Sequence, residues 1–188
     1  MVRSRPATGS DLEQVTATLT AAFAGDPLWR WAFPDFGDLE LVWRLMLTSA
    51  LRYPWLRIVD GCAAAAYWVP PGGTELTEEE EAELERMVPD RVVELLHRFE
   101  AAHPRDRPHY YLSLLGTHPD HRGKGLGMAL LAENLALIDA EGLPCYLESS
   151  NPANDARYEG VAFVRIGEFT TPDGAHVVTT MWREPRIG

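Results

Sequence analysis

The chain has 188 residues, 46% apolar and 24% charged, with a formal net charge of −11. That length suits one domain with a substantial buried core, and the balance is that of an ordinary globular protein. The acidic surplus argues against a nucleic-acid partner, which needs a basic stripe along the phosphates, and would more naturally attract a cation. No apolar run nears the roughly 20 residues that span a bilayer, so no membrane association is expected. The polar stretch 1–14 is not a secretory core, so a cytoplasmic protein is expected. Cys62 and Cys145 stand far apart and read as small buried hydrophobes of a reducing compartment. No CxxC pair or paired-His helix motif offers a metal site. Without a repeat or linker, residues 1–188 read as a single domain, monomeric or homodimeric.

Residues 2–7 suggest a short first strand. Ser10 with Glu13 spells a capping box, and Leu12, Val15, Leu19 and Phe23 recur at helical spacing, predicting a helix over 10–24. Gly25-Asp26-Pro27 breaks it, and an aromatic stretch of Trp29, Trp31, Phe33 and Phe36 follows. A second helix is expected over 38–52. Residues 56–60 and 62–69 read as a hairpin about Asp60-Gly61, stopped by Pro70-Pro71-Gly72-Gly73. Thr77 with Glu80 opens a helix to about 102 that Pro89 divides. The charge run 75–85 reads as acids favoured by the helix dipole and a solvated face. Residues 109–115 form a strand, and a Gly-rich turn over 122–127 leads into a helix buried through Met128, Leu131, Leu135 and Ile138. Gly142-Leu143-Pro144 ends that helix, and Cys145-Tyr146-Leu147 is a short buried strand. A brief helix over 153–160 and strands over 162–169 and 175–183 complete a mixed α/β order.

Residues 117–127 carry the strongest signal. Gly123, Gly125 and Gly127 alternate, so the backbone can approach a ligand and leave successive N–H groups pointing at it. The helix that starts there favours negative charge, and Arg122 and Lys124 add positive charge, so a pyrophosphate is the natural occupant. A Walker A loop needs glycine where His118 stands and Ser or Thr where Gly125 stands, so it fails. A dinucleotide fingerprint from Gly123 lacks its third glycine, because Met128 occupies the place. A third pattern, Arg or Gln, two residues, Gly, one residue, Gly or Ala, is satisfied by Arg122, Gly125 and Gly127. It is the motif of the GNAT N-acetyltransferase superfamily. A Gly-rich loop that merely caps a helix remains the alternative for the motif alone.

The rest of the chain resembles the same family. Leu115, Gly116, Thr117 and Pro119 resemble its fourth strand, whose bulge splays two strands and exposes amides to pantetheine. Glu148, Ser149, Ser150, Asn151, Asn154, Tyr158 and Phe163 match the segment in which a Tyr is followed five residues later by Phe. Ala162 stands where the family usually has Gly. The stretch from Ala22 to Pro27 looks like the start of the acceptor site in the branch of puromycin N-acetyltransferase. The resemblance implies a GNAT α/β fold, a mixed sheet of about seven strands splayed near the middle with helices on both faces. It also implies acetyl-CoA as cosubstrate, with pyrophosphate on Arg122, Gly123, Lys124, Gly125, Leu126 and Gly127, and pantetheine along Leu115, Gly116 and Thr117. Asn151 fits the family's general spacing to the Tyr and Asn154 the spacing of the puromycin branch; one of them contacts the cofactor.

The implied reaction is direct attack of a neutral amine on the thioester. A backbone N–H near Leu115 to Thr117 would meet the oxyanion. Tyr158 occupies the position of the family's general acid; a phenol near pKa 10 can protonate a thiolate near about 8.5. Glu148, at its strand end, would accept the amine's proton through water, or else be a strand-end carboxylate tied to backbone or Arg. His118 and His121 are other candidates for the base, but both lie in the loop leading to the phosphates and read rather as its surface groups. For the acceptor, Asp26 would pair with a cationic amine. Trp29, Trp31, Tyr67, Trp68, Tyr110 and Tyr111 offer flat walls, with alternation letting only one of Tyr110 and Tyr111 face the cleft; Trp29 and Tyr111 are the expected contacts. The expectation is acetylation of a small-molecule amine, an antibiotic or other xenobiotic among the candidates. The alternatives are a protein or peptide N-acetyltransferase and a non-catalytic acyl-CoA sensor.

Overall fold

The computed structural model describes residues 3–186. Its strands are Arg5–Pro6 (β1), Leu56–Ile58 (β2), Ala64–Val69 (β3), Tyr110–Thr117 (β4), Cys145–Ser149 (β5), Val164–Thr170 (β6) and Val177–Arg183 (β7). The α-helices are Leu12–Phe23 (α1), Pro27–Ala32 (α2), Phe36–Ala50 (α3), Glu78–Met87 (α4), Asp90–Ala102 (α5), Leu126–Ala140 (α6) and Asp155–Glu159 (α7). One sheet runs in the order β1-β2-β3-β4-β5-β7-β6. Only β4 and β5 run parallel, and α6 makes the crossover that a parallel pair requires. This is the expected mixed seven-stranded GNAT fold.

Both faces of the sheet are covered over its central strands, while the edge strand β6 is largely exposed. On β3, Ala65, Tyr67 and Val69 join a core with α1, α3 and α5, while Ala64, Ala66 and Trp68 join a second core under α6. A strand buried on both faces reads as a continuous apolar run. On α6 the buried arc is wider than the spacing of Met128, Leu131, Leu135 and Ile138 suggests, since Leu130 and Asn134 are also fully buried. Asn134 Oδ1 accepts the indole N–H of Trp68 at 3.0 Å, which removes the cost of burying both groups.

Several local expectations shift. The N-terminal box is Thr8 with Asp11, not Ser10 with Glu13: the Asp11 carboxylate accepts the Thr8 N–H at 2.9 Å and takes a two-pronged contact from Arg5. The helix is thereby entered through a 3-10 turn, Gly9–Asp11. The aromatic stretch after Gly25 is the short helix α2. Val88 and Pro89 are extended and separate α4 from α5, as a residue preceding proline prefers.

The feature that positions the site is a fork. Strands β4 and β5 pair only from Tyr110 with Cys145 to Leu112 with Leu147. Beyond that, β4 continues along β3 to Thr117 and β5 along β7 to Ser149. The irregularity in β4 falls at Ser113, left without a partner between Leu112 opposite Trp68 and Leu114 opposite Tyr67. It precedes Leu115, Gly116 and Thr117, which keep regular partners; the extra residue bends the strand away from β5. A Cβ on Gly116 would lie 2.8 Å from both Ala22 Cβ and Leu19 Cδ2. Helix α1 therefore rests on bare backbone, and its end, with Asp26, is delivered to the fork. Among the described residues no helix is long and apolar enough to cross a membrane.

Candidate active site

The alternate glycines have different causes. Gly123 and Gly125 are left-handed, at φ +77° and +71°, where a side chain is strained. Gly127 is helical, but a Cβ there would lie 2.7 Å from Thr117 Oγ1, so the start of α6 abuts the end of β4. The first helical bond runs from the Ala129 N–H to the Gly125 carbonyl at 2.9 Å. The amides of Leu126, Gly127 and Met128 thus precede it with no helical acceptor, and the first turn carries no acid. Arg122 ties the loop to α1 by donating to the Ala22 carbonyl at 2.7 Å.

These groups line a cavity of about 580 Å³ together with Leu115, Gly116, Thr117, Asn151, Asn154 and Arg157; among the described residues Asp26 is its only acidic lining residue. Free amides, a helix N-terminus and two arginines suit a diphosphate. Lys124 is the exception among the expected residues. Between two left-handed glycines its side chain turns out to solvent, with Nζ 3.5 Å from His121 Nδ1. Asn151 Oδ1 caps the turn Pro152–Asn154 by accepting the Ala153 N–H at 3.1 Å. Asn154 Oδ1 accepts from Arg157 at 3.0 Å.

A second cavity of about 380 Å³ adjoins the first, and the two share Phe23, Asp26, Leu115, Asn154 and Tyr158. Asp26 is less free than a counter-ion for the acceptor would be. Its Oδ1 caps α2, accepting the Leu28 and Trp29 N–H groups at 3.0 and 3.3 Å, and its Oδ2 accepts the Ser150 hydroxyl at 2.9 Å. Burial raises its pKa, against the Ser150 hydrogen bond. The Tyr158 ring meets Phe163 edge-on at 6.2 Å. Burial pushes its phenol up to about 12, so it keeps its proton near neutrality. Ala162, where glycine is usual, adopts φ +71°. Bonds from the Val161 and Phe163 N–H groups to the Tyr158 carbonyl, at 3.0 and 3.1 Å, hold the turn.

Glu148 is the first residue past the last β4–β5 pair. Its side chain is 1% exposed and neither carboxyl oxygen has a hydrogen-bond partner. It is therefore not a strand-end carboxylate tied to backbone or Arg. Burial pushes it up to about 8, while the phenols of Tyr111 and Tyr146 pull the other way. His103 Nδ1 lies 4.0 Å from Oε1. His109 Nδ1 is 2.7 Å from the Arg107 carbonyl, which can only accept, so His109 carries its proton there. Its Nε2 then accepts from His103 Nε2 at 3.1 Å. His103, pushed down to about 4 by burial and by His109, is left with a lone pair on Nδ1 facing Glu148.

Of the flat side chains expected, Trp29 and Tyr111 line this second cavity; Trp31, Tyr67, Trp68 and Tyr110 do not. Tyr67 and Trp68 are wholly buried. Tyr110 points into the α6 core and donates to Glu141 at 2.7 Å, as alternation requires. Trp31 faces Asp173, donating to its carboxylate at 2.8 Å. Trp29 is mostly core, 4.8 Å from Trp43 and stacked 6.3 Å from Phe99. The sequence reasoning missed Glu75 and His103. Glu75 belongs to the charge run read as a solvated face, yet it lines the cavity, and burial, with Glu100 and Glu81 adding, pushes it up to about 7. Its one local signal is that it precedes the helix cap Thr77 and adjoins the buried Leu76.

Residues 66–163, from the middle of β3 to Phe163, match the acetyltransferase (GNAT) family. A stretch of 83 residues is 37% identical to an uncharacterized N-acetyltransferase of Schizosaccharomyces pombe, covering 43% of this chain and 34% of that protein; the match thus spans about a third of that relative's length. In fold, the chain is similar to a structure described as histone acetyltransferase HPA2 and related acetyltransferase from Corynebacterium glutamicum. The TM-score is 0.68 at 24% identity, over 100% of this chain and 99% of that one. It is also similar to arylalkylamine N-acetyltransferase 2 from Aedes aegypti, with TM-score 0.70 at 15% identity over 98% and 99% of the two chains. With more than half of its length matched and the fork, the loop and the sheet order in place, the chain belongs to the GNAT family of acetyltransferase enzymes.

Proposed function

We propose that the protein moves the acetyl group of acetyl-CoA onto an amine of a small molecule by direct attack. One observation carries this: two cavities of opposite character, one framed by arginines and free amides, the other by carboxylates, meet at Tyr158 and the β4–β5 fork. When bound, acetyl-CoA supplies an activated carbonyl and a thiol leaving group. Arg122 and the amides of the loop and of α6 would hold its diphosphate, with Lys124 adding only a distant charge. Backbone groups of residues 113–117 on the open side of β4 would receive pantetheine and the developing oxyanion.

Glu148 is the group to take the amine's proton. With its pKa raised to about 8 by burial, Glu148 acts as base through its deprotonated fraction, which grows as pH rises through neutrality, and the His103 lone pair faces the carboxyl that then holds the proton. Tyr158, protonated at the junction, supplies a proton to the departing sulfur. Holding both reactants at one fork converts a bimolecular encounter into an oriented one. Asp26 adds negative charge at the junction while capping α2.

The choice between a small amine and a protein acceptor turns on the acceptor cavity. Its volume falls within the range of small-molecule sites, about 300–1,000 Å³, and its base lies behind aromatic walls rather than on an open groove. Of the stretch from Ala22 to Pro27, Phe23 and Asp26 reach the junction, and the likeness of that stretch to the puromycin branch is what suggests an antibiotic or xenobiotic amine as acceptor. Residues 1–188 would act as one cytoplasmic domain. The test is thiol release from acetyl-CoA with panels of small amines and of peptides. Amine-dependent release supports the proposal; release with peptides alone reassigns the acceptor; tight acetyl-CoA binding without release in either panel makes the protein a sensor.

A further inference from the structure

Among the described residues, the acceptor cavity is lined by Asp26, Glu75, Glu81, Glu85, Glu100 and Glu148, and by no Lys or Arg. Partners account for three of these. Asp26 is engaged in the α2 cap and by Ser150, Glu85 lies 3.4 Å from His97, and Glu100 pairs with Arg105. Of the remainder, Glu81 is exposed at the rim, which leaves the half-buried Glu75 and the buried side chain of Glu148. Glu148 has both oxygens unpartnered and is almost wholly buried. Glu75 stands on the loop before α4, beside the Ser113 hydroxyl at the β4 bulge, which opposes the rise that burial causes in its pKa. Aromatic rings of Phe23, Trp29, Phe33 and Phe99 line the same cavity.

Charge bookkeeping through the reaction gives the two carboxyls different tasks. An ammonium acceptor first gives its proton to Glu148. The freed lone pair then forms the N–C bond, the C–S bond breaks, the sulfur takes the Tyr158 proton, and the nitrogen's second lost proton restores Tyr158. The reacting nitrogen is therefore neutral when it attacks and stays neutral as an amide. It cannot also neutralise Glu75. A half-buried carboxylate whose side chain has no ion-pair partner is costly to keep charged, and a cation that stays charged throughout relieves that cost only in the complex.

Resting on the acetyltransfer reading above, we infer that the acceptor carries a second cationic group that is not acetylated and sits against Glu75. The substrate is a diamine, or an amine bearing a quaternary ammonium, with an apolar or aromatic span between its two nitrogens. The aromatic lining suits both the span and the second cation.

A matched pair tests this: 1,4-bis(aminomethyl)benzene against 4-methylbenzylamine, which share shape and reacting group. Thiol release should show kcat/KM about tenfold or more higher for the diamine, the equivalent of about 1.4 kcal/mol, mostly through KM. Glu75→Gln should abolish that preference by lowering the diamine's kcat/KM about tenfold relative to the monoamine's, and Glu75→Lys should invert it. A melting curve for each variant confirms that it folds. Equal efficiency with the two amines, or an equal loss with both in Glu75→Gln, overturns the inference while acetyltransfer stands. No release with either amine overturns both.

Discussion

Replacing Glu148 with Gln keeps the shape of the side chain at the fork and removes its proton chemistry. In the folded chain the carboxyl titrates at about 8 because burial disfavours its charged form; in an unfolded chain it titrates at about 4.3. Between those values the native state holds a proton that the unfolded state has released, so stability falls as pH rises through the window, and above about 8 the whole penalty is present. At 1.36 kcal/mol per pKa unit the penalty reaches about 5 kcal/mol. Gln is neutral throughout. Relative to the parent, Glu148→Gln should therefore gain stability progressively between about pH 4 and about pH 9, by up to about 5 kcal/mol. Turnover should fall by about 10² to 10⁴, the range for losing a general base. Urea unfolding of both proteins at several pH values, with thiol release on the same samples, measures both effects. Glu75, whose charge adds to the rise at Glu148, is present in both proteins, so the difference reports Glu148 together with that coupling. A stability difference that does not change with pH, or unimpaired turnover, would refute the reasoning.

Tyr158→Phe should lower the single-turnover rate about 100-fold, as for loss of a positioned acid, with acetyl-CoA affinity by calorimetry unchanged; an unaltered rate removes Tyr158 as the acid. Gly125→Ala forces a side chain into φ +71°, costs about 1–2 kcal/mol of stability and displaces the amides behind it. Calorimetry should show acetyl-CoA affinity reduced about tenfold, and undiminished affinity would separate the loop from the diphosphate. Arg183 donates to both Asp139 oxygens at 2.7 Å and to the Val161 carbonyl at 3.0 Å, and is 3% exposed. Arg183→Met should cost about 3–5 kcal/mol in urea unfolding near neutrality. Because the Arg183 hydrogen bonds lower the Asp139 pKa, that contribution is complete above the ordinary Asp range and is lost as pH falls through the depressed value. The variant's deficit should shrink in acid; a deficit independent of pH would argue against the pair.

What the sequence made legible was local. Alternate glycines state a backbone requirement, and Gly123 and Gly125 meet it through their dihedral angles while Gly127 meets it through the nearness of Thr117. Tyr158 and Phe163 are legible by spacing, because a short helix and the next strand fix their separation. Tyr111 is legible by alternation once Tyr110 is assigned to the opposite face. The losses arose where distant segments meet. Glu75 and the helical acids Glu78 and Glu79 look alike in a charge run, and only the packing of the loop before α4 against β4 makes Glu75 interior. His103 gains its tautomer from His109 and from a carbonyl, relations that no spacing encodes. Ser10 with Glu13 and Thr8 with Asp11 fit the same capping pattern, and Arg5 beside Asp11 marks the pair the chain uses. Asp26 before Pro27 carried a sufficient local signal, an N-cap followed by proline at the first helical position, and that signal explains its carboxylate better than an acceptor does.

The walls of the acceptor side have a simple arrangement along the chain. One side of them, with Glu75, Glu81, Glu85, His97, Phe99, Glu100 and His103, falls within one continuous stretch around α4 and α5; the opposite side comes from residues 23–46 and from β4 and β5, and the loop and Tyr158 come from residues 117–158. Substitutions confined to the first stretch would redraw the shape and charge seen by an incoming amine while the donor half stays untouched. Exchange of that one surface segment between relatives is thus a natural route to new acceptors on an unchanged scaffold.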